Sequence, residues 1–322
     1  MNPGVHDMLQ AWGPQAGHIA SLWNIFLVIC TVVFALVLVA LVLAVRRAPR
    51  IHTQEPPDLS TVNVPEPRLH RTVATAVTLA VLGLLVLLAA SVFTDRALAR
   101  LPLKNAINIE VTAHQWWWSV KYVNGPVSET FETANEIHVP VGRPVVVRLN
   151  ADDVIHSLWV PSLAGKRDLI PGRTATMTFQ ADQPGIYRGQ CAEFCGFQHA
   201  FMAFEVQAQP AAEYEQWRQL QLKPPGEPGD ATAQRGKMLF QSVSCAMCHA
   251  VQGTIAGART GPDLTHVASR RTLAAGTLPN TPANLASWIA DPQKHKPGTN
   301  MPANPLSGAD LAALVAYLGT LQ

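Results

Sequence analysis

Gln190-Cys191-Ala192-Glu193-Phe194-Cys195-Gly196-Phe197-Gln198-His199-Ala200-Phe201-Met202 is the stretch around which the rest of the chain is organised. It holds two thiols, an imidazole, a thioether and a carboxylate, separated mostly by aromatic and small apolar residues. Soft sulfur with imidazole is a ligand set for copper, whereas oxygen-rich sets suit magnesium or calcium. Cysteines four apart, a histidine four further on and a methionine three beyond that can converge if the segment is a compact loop. Two shared thiolates would hold two copper ions close together. Each ion would then need one imidazole and one weak axial donor. The loop supplies one histidine, so a second must come from elsewhere. His156, in Asp153-Val154-Ile155-His156-Ser157-Leu158-Trp159-Val160-Pro161, is the best candidate. A disulfide between Cys191 and Cys195 is the competing reading in an oxidising compartment. A four-coordinate zinc site fits less well, because zinc sites are built from cysteine, histidine and carboxylate rather than methionine.

Outward from that loop, 322 residues suffice for two or three domains. A formal net charge of +2 argues against a nucleic-acid binder. Residues 21–45 and 73–94 are apolar runs without Asp, Glu, Lys or Arg. Each exceeds the roughly 20 residues that span hydrocarbon as a helix. The connecting segment, 46–72, carries Arg46, Arg47, Arg50, Arg68 and Arg71, while residues 1–20 have no Lys or Arg. Positive loops stay cytoplasmic, so both termini and everything after about residue 97 are expected outside, in the periplasm of a bacterial inner membrane. The N-terminus lacks the basic start and small-residue cleavage site of a signal peptide. Cys30 lies mid-span and reads as membrane packing. Pro49, Pro56, Pro57, Pro65 and Pro67 predict an extended connecting loop.

Residues 101–222 read as short strands. Ile107–Val111 and Glu136–Val139 alternate, Val145–Leu149 is a β-branched run, and Gly125-Pro126, Val141-Gly142, Pro171-Gly172 and Pro184-Gly185 supply turns. Strands at this spacing predict a sandwich or barrel. Within them lies His114-Gln115-Trp116-Trp117-Trp118-Ser119-Val120-Lys121-Tyr122. Alternation puts Trp116 and Trp118 on one face and Trp117 on the other. Met177 reads as core.

Residues 223–230, beginning Lys223-Pro224-Pro225-Gly226-Glu227-Pro228-Gly229, form a linker to a third module, 231–322. There Ser244-Cys245-Ala246-Met247-Cys248-His249 contains Cys-x-x-Cys-His, the attachment signature for c-type haem. Cys245 and Cys248 would form thioethers to the porphyrin, and His249 would bind the iron. A thioredoxin-like pair is disfavoured, because no βαβ pattern surrounds the motif. A helix over 233–241, with Gly236 and Phe240 at helix-contact spacing, and a last helix over 307–321 with Tyr317 inward suit a small class I cytochrome c. Met301, in Lys296-Pro297-Gly298-Thr299-Asn300-Met301-Pro302, is the expected sixth ligand, with His266 and His295 as alternatives. Residues 101–222 hold nine Lys and Arg against twelve Asp and Glu, while 223–322 hold eight against five. Opposite net signs favour docking of the two modules.

The pattern Cys-x-Glu-x-Cys-Gly-x-x-His-x-x-Met, with His-Ser-x-x-Val-Pro upstream, resembles the binuclear CuA site of cytochrome c oxidase subunit II. With the c-type motif added, the resemblance covers essentially the whole chain. It implies a multidomain membrane protein: a two-helix transmembrane hairpin, a cupredoxin-like Greek-key β-barrel and an all-α class I cytochrome c domain. The CuA ligands implied are His156, Cys191, Cys195, His199, Met202 and the backbone carbonyl of Glu193. The Glu193 carboxylate would reach a magnesium shared with subunit I. Trp116 matches the tryptophan through which electrons reach CuA, and Trp117 stands where tyrosine is common. Asp168, in Lys166-Arg167-Asp168-Leu169-Ile170-Pro171-Gly172-Arg173, would face subunit I. The family's glutamate near the start of the second span, which helps admit protons, has no match here. Glu66 and His70 are the nearby groups, and a solvated loop charge is the favoured reading of Glu66.

The function implied is subunit II of a proton-pumping cytochrome c oxidase, passing electrons from haem c through CuA to haem a. Its partners would be subunit I with haem a and CuB, other oxidase subunits, and a cytochrome c or cytochrome bc complex as donor. A quinol oxidase subunit would lack the copper ligands, and a nitrous oxide reductase would need a histidine-rich second copper centre. A nitric oxide reductase subunit, differing mainly in its partner, stays open. A copper-delivery protein would need no haem.

Overall fold

The computed structural model describes residues 4–48, 66–242 and 244–322. It divides into two units, His18–Arg100 and Leu101–Gln322 with the segment up to Gly17. Two long helices, α1 (Pro14–Arg47) and α2 (Pro67–Leu98), supply the first, with mean hydropathies of 3.4 and 2.7 over their most apolar windows. At about 1.5 Å per residue both exceed the roughly 30 Å of a bilayer's hydrocarbon core. Apolar side chains point outward on all sides, among them Phe34 and Leu84, which are 64% and 66% exposed. A helix apolar all round needs lipid or protein around it, and the pair fits a membrane protein. The proline-rich segment 49–65, predicted as an extended loop and including Arg50, lies outside the described residues. Glu66 is exposed at the cap of α2, with Pro67 opening the helix. His70 is exposed one turn on.

Ten strands build the copper-site domain: β1 (Ile107–His114), β2 (Trp117–Tyr122), β3 (Phe131–Ala134), β4 (Glu136–Pro140), β5 (Val145–Ala151), β6 (His156–Trp159), β7 (Lys166–Leu169), β8 (Ala175–Phe179), β9 (Gly185–Cys191) and β10 (Ala203–Gln209). They form a cupredoxin-like sandwich of two five-stranded sheets, ordered β3-β2-β1-β5-β8 and β4-β10-β9-β6-β7. Period-two alternation sends Ile107, Ile109, Val111 and Ala113 of β1 into the core, where they meet Val145, Val147 and Leu149 of β5. Met177 joins this core at 8% exposure.

Strand β4 departs from the expected alternation, because every residue in it is buried. Its outer face, carrying Glu136 and His138, is covered rather than solvated. Trp217 of α3 (Ala211–Gln221) stacks on His138 with ring centroids 4.0 Å apart. Arg270 of the C-terminal domain comes within 3.9 Å of Glu136. Alternation predicts only which side chains share a face; a helix and a second domain decide whether that face is wet.

The segment before α1 straps the sandwich. Val5 pairs with the β9 edge, its N–H donating to the Ile186 carbonyl at 2.7 Å and its carbonyl accepting from Arg188 N–H at 2.9 Å. Trp12 packs against the same core. A Cβ on Gly13 would lie 2.1 Å from the Gln180 carbonyl oxygen, so only glycine passes there.

After residues 223–230, which lie outside helix and strand, the C-terminal domain comprises α4 (Ala231–Ser242), the two-residue strands β11 (Thr272–Leu273) and β12 (Leu278–Pro279), α5 (Pro282–Ala290), α6 (Pro292–His295) and α7 (Gly308–Thr320). Side-chain oxygens of Thr281 and Ser307 cap α5 and α7 by accepting from Asn284 N–H and Asp310 N–H. Helices α4 and α7 cross at Gly236, where a Cβ would stand 2.0 Å from the Ala313 carbonyl oxygen. One turn on, Phe240 and Tyr317 meet at 5.8 Å. Gly236→Val therefore forces the helices apart. The expected cost is about 1–3 kcal/mol, read as a lower midpoint of thermal unfolding of the full chain; an unchanged midpoint would contradict this crossing.

Candidate metal and haem sites

Strand pairing assembles the first site. Strands β6 and β9 lie antiparallel with Leu158 opposite Cys191, which brings His156, at the start of β6, beside the end of β9. Strands β9 and β10 are also neighbours, so residues 192–202 leave the sheet as a loop that closes where Cys191 N–H donates to the Met202 carbonyl at 2.9 Å. The loop turns back at Gly196 (φ +112°), where a Cβ would come within 2.9 Å of the Trp116 ring. Both the positive φ and the close indole require glycine.

All the side chains expected at this site converge. Cys191 and Cys195 are free thiols with sulfurs 3.8 Å apart. Cys191 Sγ lies 3.9 Å from His156 Nδ1 and 3.2 Å from the Glu193 carbonyl oxygen. Cys195 Sγ lies 3.7 Å from His199 Nδ1 and 3.8 Å from Met202 Sδ. His156, Cys191, Cys195 and Met202 are buried, at 2% exposure or less. Contact with Cys195 holds the pKa of the Cys191 thiol low despite its burial, while that of the Cys195 thiol is pushed up by Cys191 and by burial. The pair thus gives up its first proton readily, as a thiolate ligand must. Two sulfurs, two imidazoles, a thioether and a carbonyl form a soft donor set that fits copper, largely buried, with His199 and Glu193 half-buried.

Asp153 went unnoticed in the sequence. Its Oδ1 lies 2.8 Å from His156 Nε2, which leaves Nδ1 for the sulfurs, and its Oδ2 accepts from Gln115 N–H at 2.5 Å. Burial alone would lower the His156 pKa, but Cys191 and Asp153 outweigh it and raise it. A carboxylate behind a ligating imidazole is a recurrent way of fixing its tautomer. Its place three residues before His156 was the available signal.

Trp116 is 6% exposed and lies in the turn before β2 rather than in the strand. It shares the core with Trp118, while Trp117 is half-buried and stacks on His114 at 4.3 Å. Both Trp116 Nε1 and Gln115 Nε2 donate to the Cys195 carbonyl, at 2.8 and 2.7 Å. Asp168 Oδ1 accepts from Ser157 Oγ at 2.8 Å. Lys166 Nζ lies 3.9 Å from Asp168 and 3.4 Å from the Glu193 carboxylate, so these two acids share one cation at the domain surface.

The second site is a cavity of about 280 Å³ lined by Cys245, Cys248, His249 and Met301 on the C-terminal domain. Its copper-domain wall is formed by Gln115, Trp116, Trp117 and Asn135. His249 Nδ1 lies 2.7 Å from the Pro262 carbonyl, which leaves Nε2 as the free ring nitrogen, and burial lowers its pKa. A neutral imidazole, two thiols and a thioether lining one apolar cavity suit a thioether-linked haem with His/Met ligation. His266 is tied through Nδ1 to the Gln322 carbonyl at 2.7 Å, and His295 through Nε2 to Ser287 Oγ at 2.8 Å. Neither lines the cavity.

Comparison with known proteins identifies both domains. The family model for the periplasmic domain of cytochrome c oxidase subunit II matches residues 124–209, and that for cytochrome c matches 233–322. "Cytochrome c oxidase subunit 2" of Alkalihalophilus pseudofirmus is 43% identical over 219 residues, covering 68% of this chain and 62% of that protein. The protein of the same name from Bacillus subtilis is 31% identical, covering 68% of this chain and 63% of its own length. The chain thus spans under two thirds of the length of these relatives. The solved periplasmic domain of subunit II of cytochrome oxidase from Bradyrhizobium japonicum is 32% identical, covering 36% of this chain and 92% of that one, with a TM-score of 0.34.

Proposed function

The chain belongs to the cytochrome c oxidase subunit II family, with a cytochrome c domain fused behind its copper-site domain, and from that premise we propose that it is the electron-transfer subunit of a proton-pumping oxidase. Electrons would arrive from a cytochrome c or cytochrome bc complex at haem c and leave through CuA towards haem a of subunit I, where dioxygen is reduced. The observation that carries this reading is the span between the two sites. Trp116 borders the haem cavity, and its indole donates to the Cys195 carbonyl at 2.8 Å.

When bound, haem c and CuA supply one-electron storage at neighbouring points, and charge shared over two coppers keeps bond-length changes small. The chain's part is to hold and shield them. Cys245 and Cys248 would anchor the porphyrin, and His249 and Met301 would hold its iron. Cys191, Cys195, His156, His199, Met202 and the Glu193 carbonyl would together hold the coppers. Asp153 fixes the His156 ring, Pro262 fixes the His249 ring, and buried Trp118 and Phe204 exclude water. The carboxylates of Glu193 and Asp168, together at the surface, would face subunit I, Glu193 with a shared magnesium. The redox domains and both termini would lie on the periplasmic side of a bacterial inner membrane.

Copper and haem analysis of the purified full chain tests this reading. It predicts two tightly held coppers with a delocalised mixed-valence signal, beside one low-spin c-type haem. One labile copper, or none, would instead support copper delivery or assembly.

A further inference from the structure

The haem-motif domain touches the copper domain through side chains that are specific in kind and place. Copper-domain acids meet C-terminal cations: Glu205 with Arg271 at 3.1 Å, Glu132 with Arg259 at 3.8 Å and Glu136 with Arg270 at 3.9 Å. The tip of the β11–β12 hairpin also docks, with the Ala275 carbonyl accepting from Ala203 N–H at 3.0 Å. Three successive residues there, Ala274, Ala275 and Gly276, have φ between +53° and +76°. Left-handed alanines are strained and persist where their surroundings over-determine them.

At the centre of this contact stands Lys296. It is 2% exposed, and its Nζ donates to the Trp116 carbonyl at 2.9 Å and to the Ala274 carbonyl at 3.3 Å. One acceptor belongs to each domain. No carboxylate pairs with the amine among the described contacts, and burial lowers its pKa to about 7. An apolar side chain of similar length would fill the space without that penalty. What it could not do is bond two carbonyls on opposite sides of a domain boundary. Asn300, four residues on, donates to the Gln115 carbonyl at 3.1 Å, and Gln198 of the copper loop donates to the Pro297 carbonyl at 2.6 Å.

The loop 296–301, which ends at Met301, is therefore bonded to the Gln115 and Trp116 carbonyls. The side chains of those same two residues are bonded to the Cys195 carbonyl. We infer that Lys296 is a positioning residue: by pinning the Trp116 backbone across the domain boundary, it fixes the indole between the haem cavity and the copper loop and so sets the rate of haem-to-copper electron transfer. This rests on the relay proposed above. Asn300 holds the preceding carbonyl, that of Gln115.

The test is a double-mutant cycle in the full chain, loaded with both metals, with haem c reduced in a light pulse by a photoexcited one-electron donor and its reoxidation followed. Lys296→Met is expected to slow internal transfer by about tenfold, since small displacements of a positioned group carry large rate effects. Copper content, haem content, the mixed-valence spectrum and both midpoint potentials should stay unchanged, which separates lost coupling from lost driving force. In a Trp116→Phe background, Lys296→Met should slow transfer no further, because both changes act on one element. An unchanged rate in Lys296→Met, or equal slowing in both backgrounds, overturns the inference. Asn300→Ala, at an exposed position, provides a second reading if Lys296→Met loses a metal. Slowing there supports the clamp, and no slowing overturns it. Absence of internal transfer in the unsubstituted chain would instead remove the relay itself.

Discussion

Cys195→Ser is expected to abolish the mixed-valence copper signal completely while leaving the c-type haem spectrum intact. Cys195 is the most connected atom set of the site: its sulfur is within 3.8 Å of Cys191, His199 and Met202, and its carbonyl accepts from both Gln115 and Trp116. Serine keeps the backbone contacts and the loop's shape but replaces a soft thiolate with a hard hydroxyl that stays protonated. A copper pair cannot share charge through such a group. His156→Ala should have the same outcome by a different route, removing the imidazole that Asp153 holds in place. Paramagnetic resonance of the full chain checks both; retention of the whole signal in either variant would refute the ligand assignment. The haem site shares no ligand with the copper site, so haem content serves as the folding control.

The paired substitution Cys245→Ala with Cys248→Ala is expected to remove all covalently bound haem, read as haem staining of the denatured chain, while copper remains. The consequence for the C-terminal domain is severe. Without haem, a cavity of about 280 Å³ lined mainly by apolar side chains stays open to water, and the burial those walls would gain against the porphyrin is lost, at about 25 cal/mol per Å² of apolar surface. The variant should therefore show protease sensitivity confined to residues 231–322, with the sandwich intact. Covalent haem surviving in the variant would overturn the assignment of the motif.

Much of the chemistry was legible because its residues are close in sequence. Cys191, Glu193, Cys195, His199 and Met202 fall within one loop, and only His156 had to be found at long range. Cys245, Cys248 and His249 form one motif. Adjacent strands then do the remaining work, since β6 beside β9 is enough to deliver His156. Opposite net charges signalled that the two domains meet, but the particular contacts between them were not legible. A lysine beside Pro297-Gly298 reads as a solvated loop charge, and nothing in the local sequence tells that the copper domain will cover it. The same holds for Glu136 and His138, whose outward positions on β4 become interior only when Trp217 and Arg270 close over them. The strap of Val5 to Gly13 carries no periodicity at all, because its fit depends on backbone bonding and on glycine lacking a Cβ.

The opposite charges of the two modules resolve into particular pairs, and this alters what they do. Glu136 and Arg270 are buried, so their attraction is little screened by salt. His138, Arg270 and Thr133 together outweigh the burial that would raise the Glu136 carboxyl, and hold it low. Removing one partner of such a pair leaves a buried charge uncompensated, which is more harmful than never having had the pair. The fused domain is thereby fixed in one orientation, with the haem cavity against Trp116, rather than left to search for it on a linker.

The most direct measurement of the central claim is reoxidation of haem c after pulsed reduction of the full chain, followed at several protein concentrations. The account predicts first-order transfer from haem to copper at a rate independent of concentration, because both sites lie in one chain on either side of Trp116. A rate that rises in proportion to protein concentration, or a haem that stays reduced while copper stays oxidised, would contradict it.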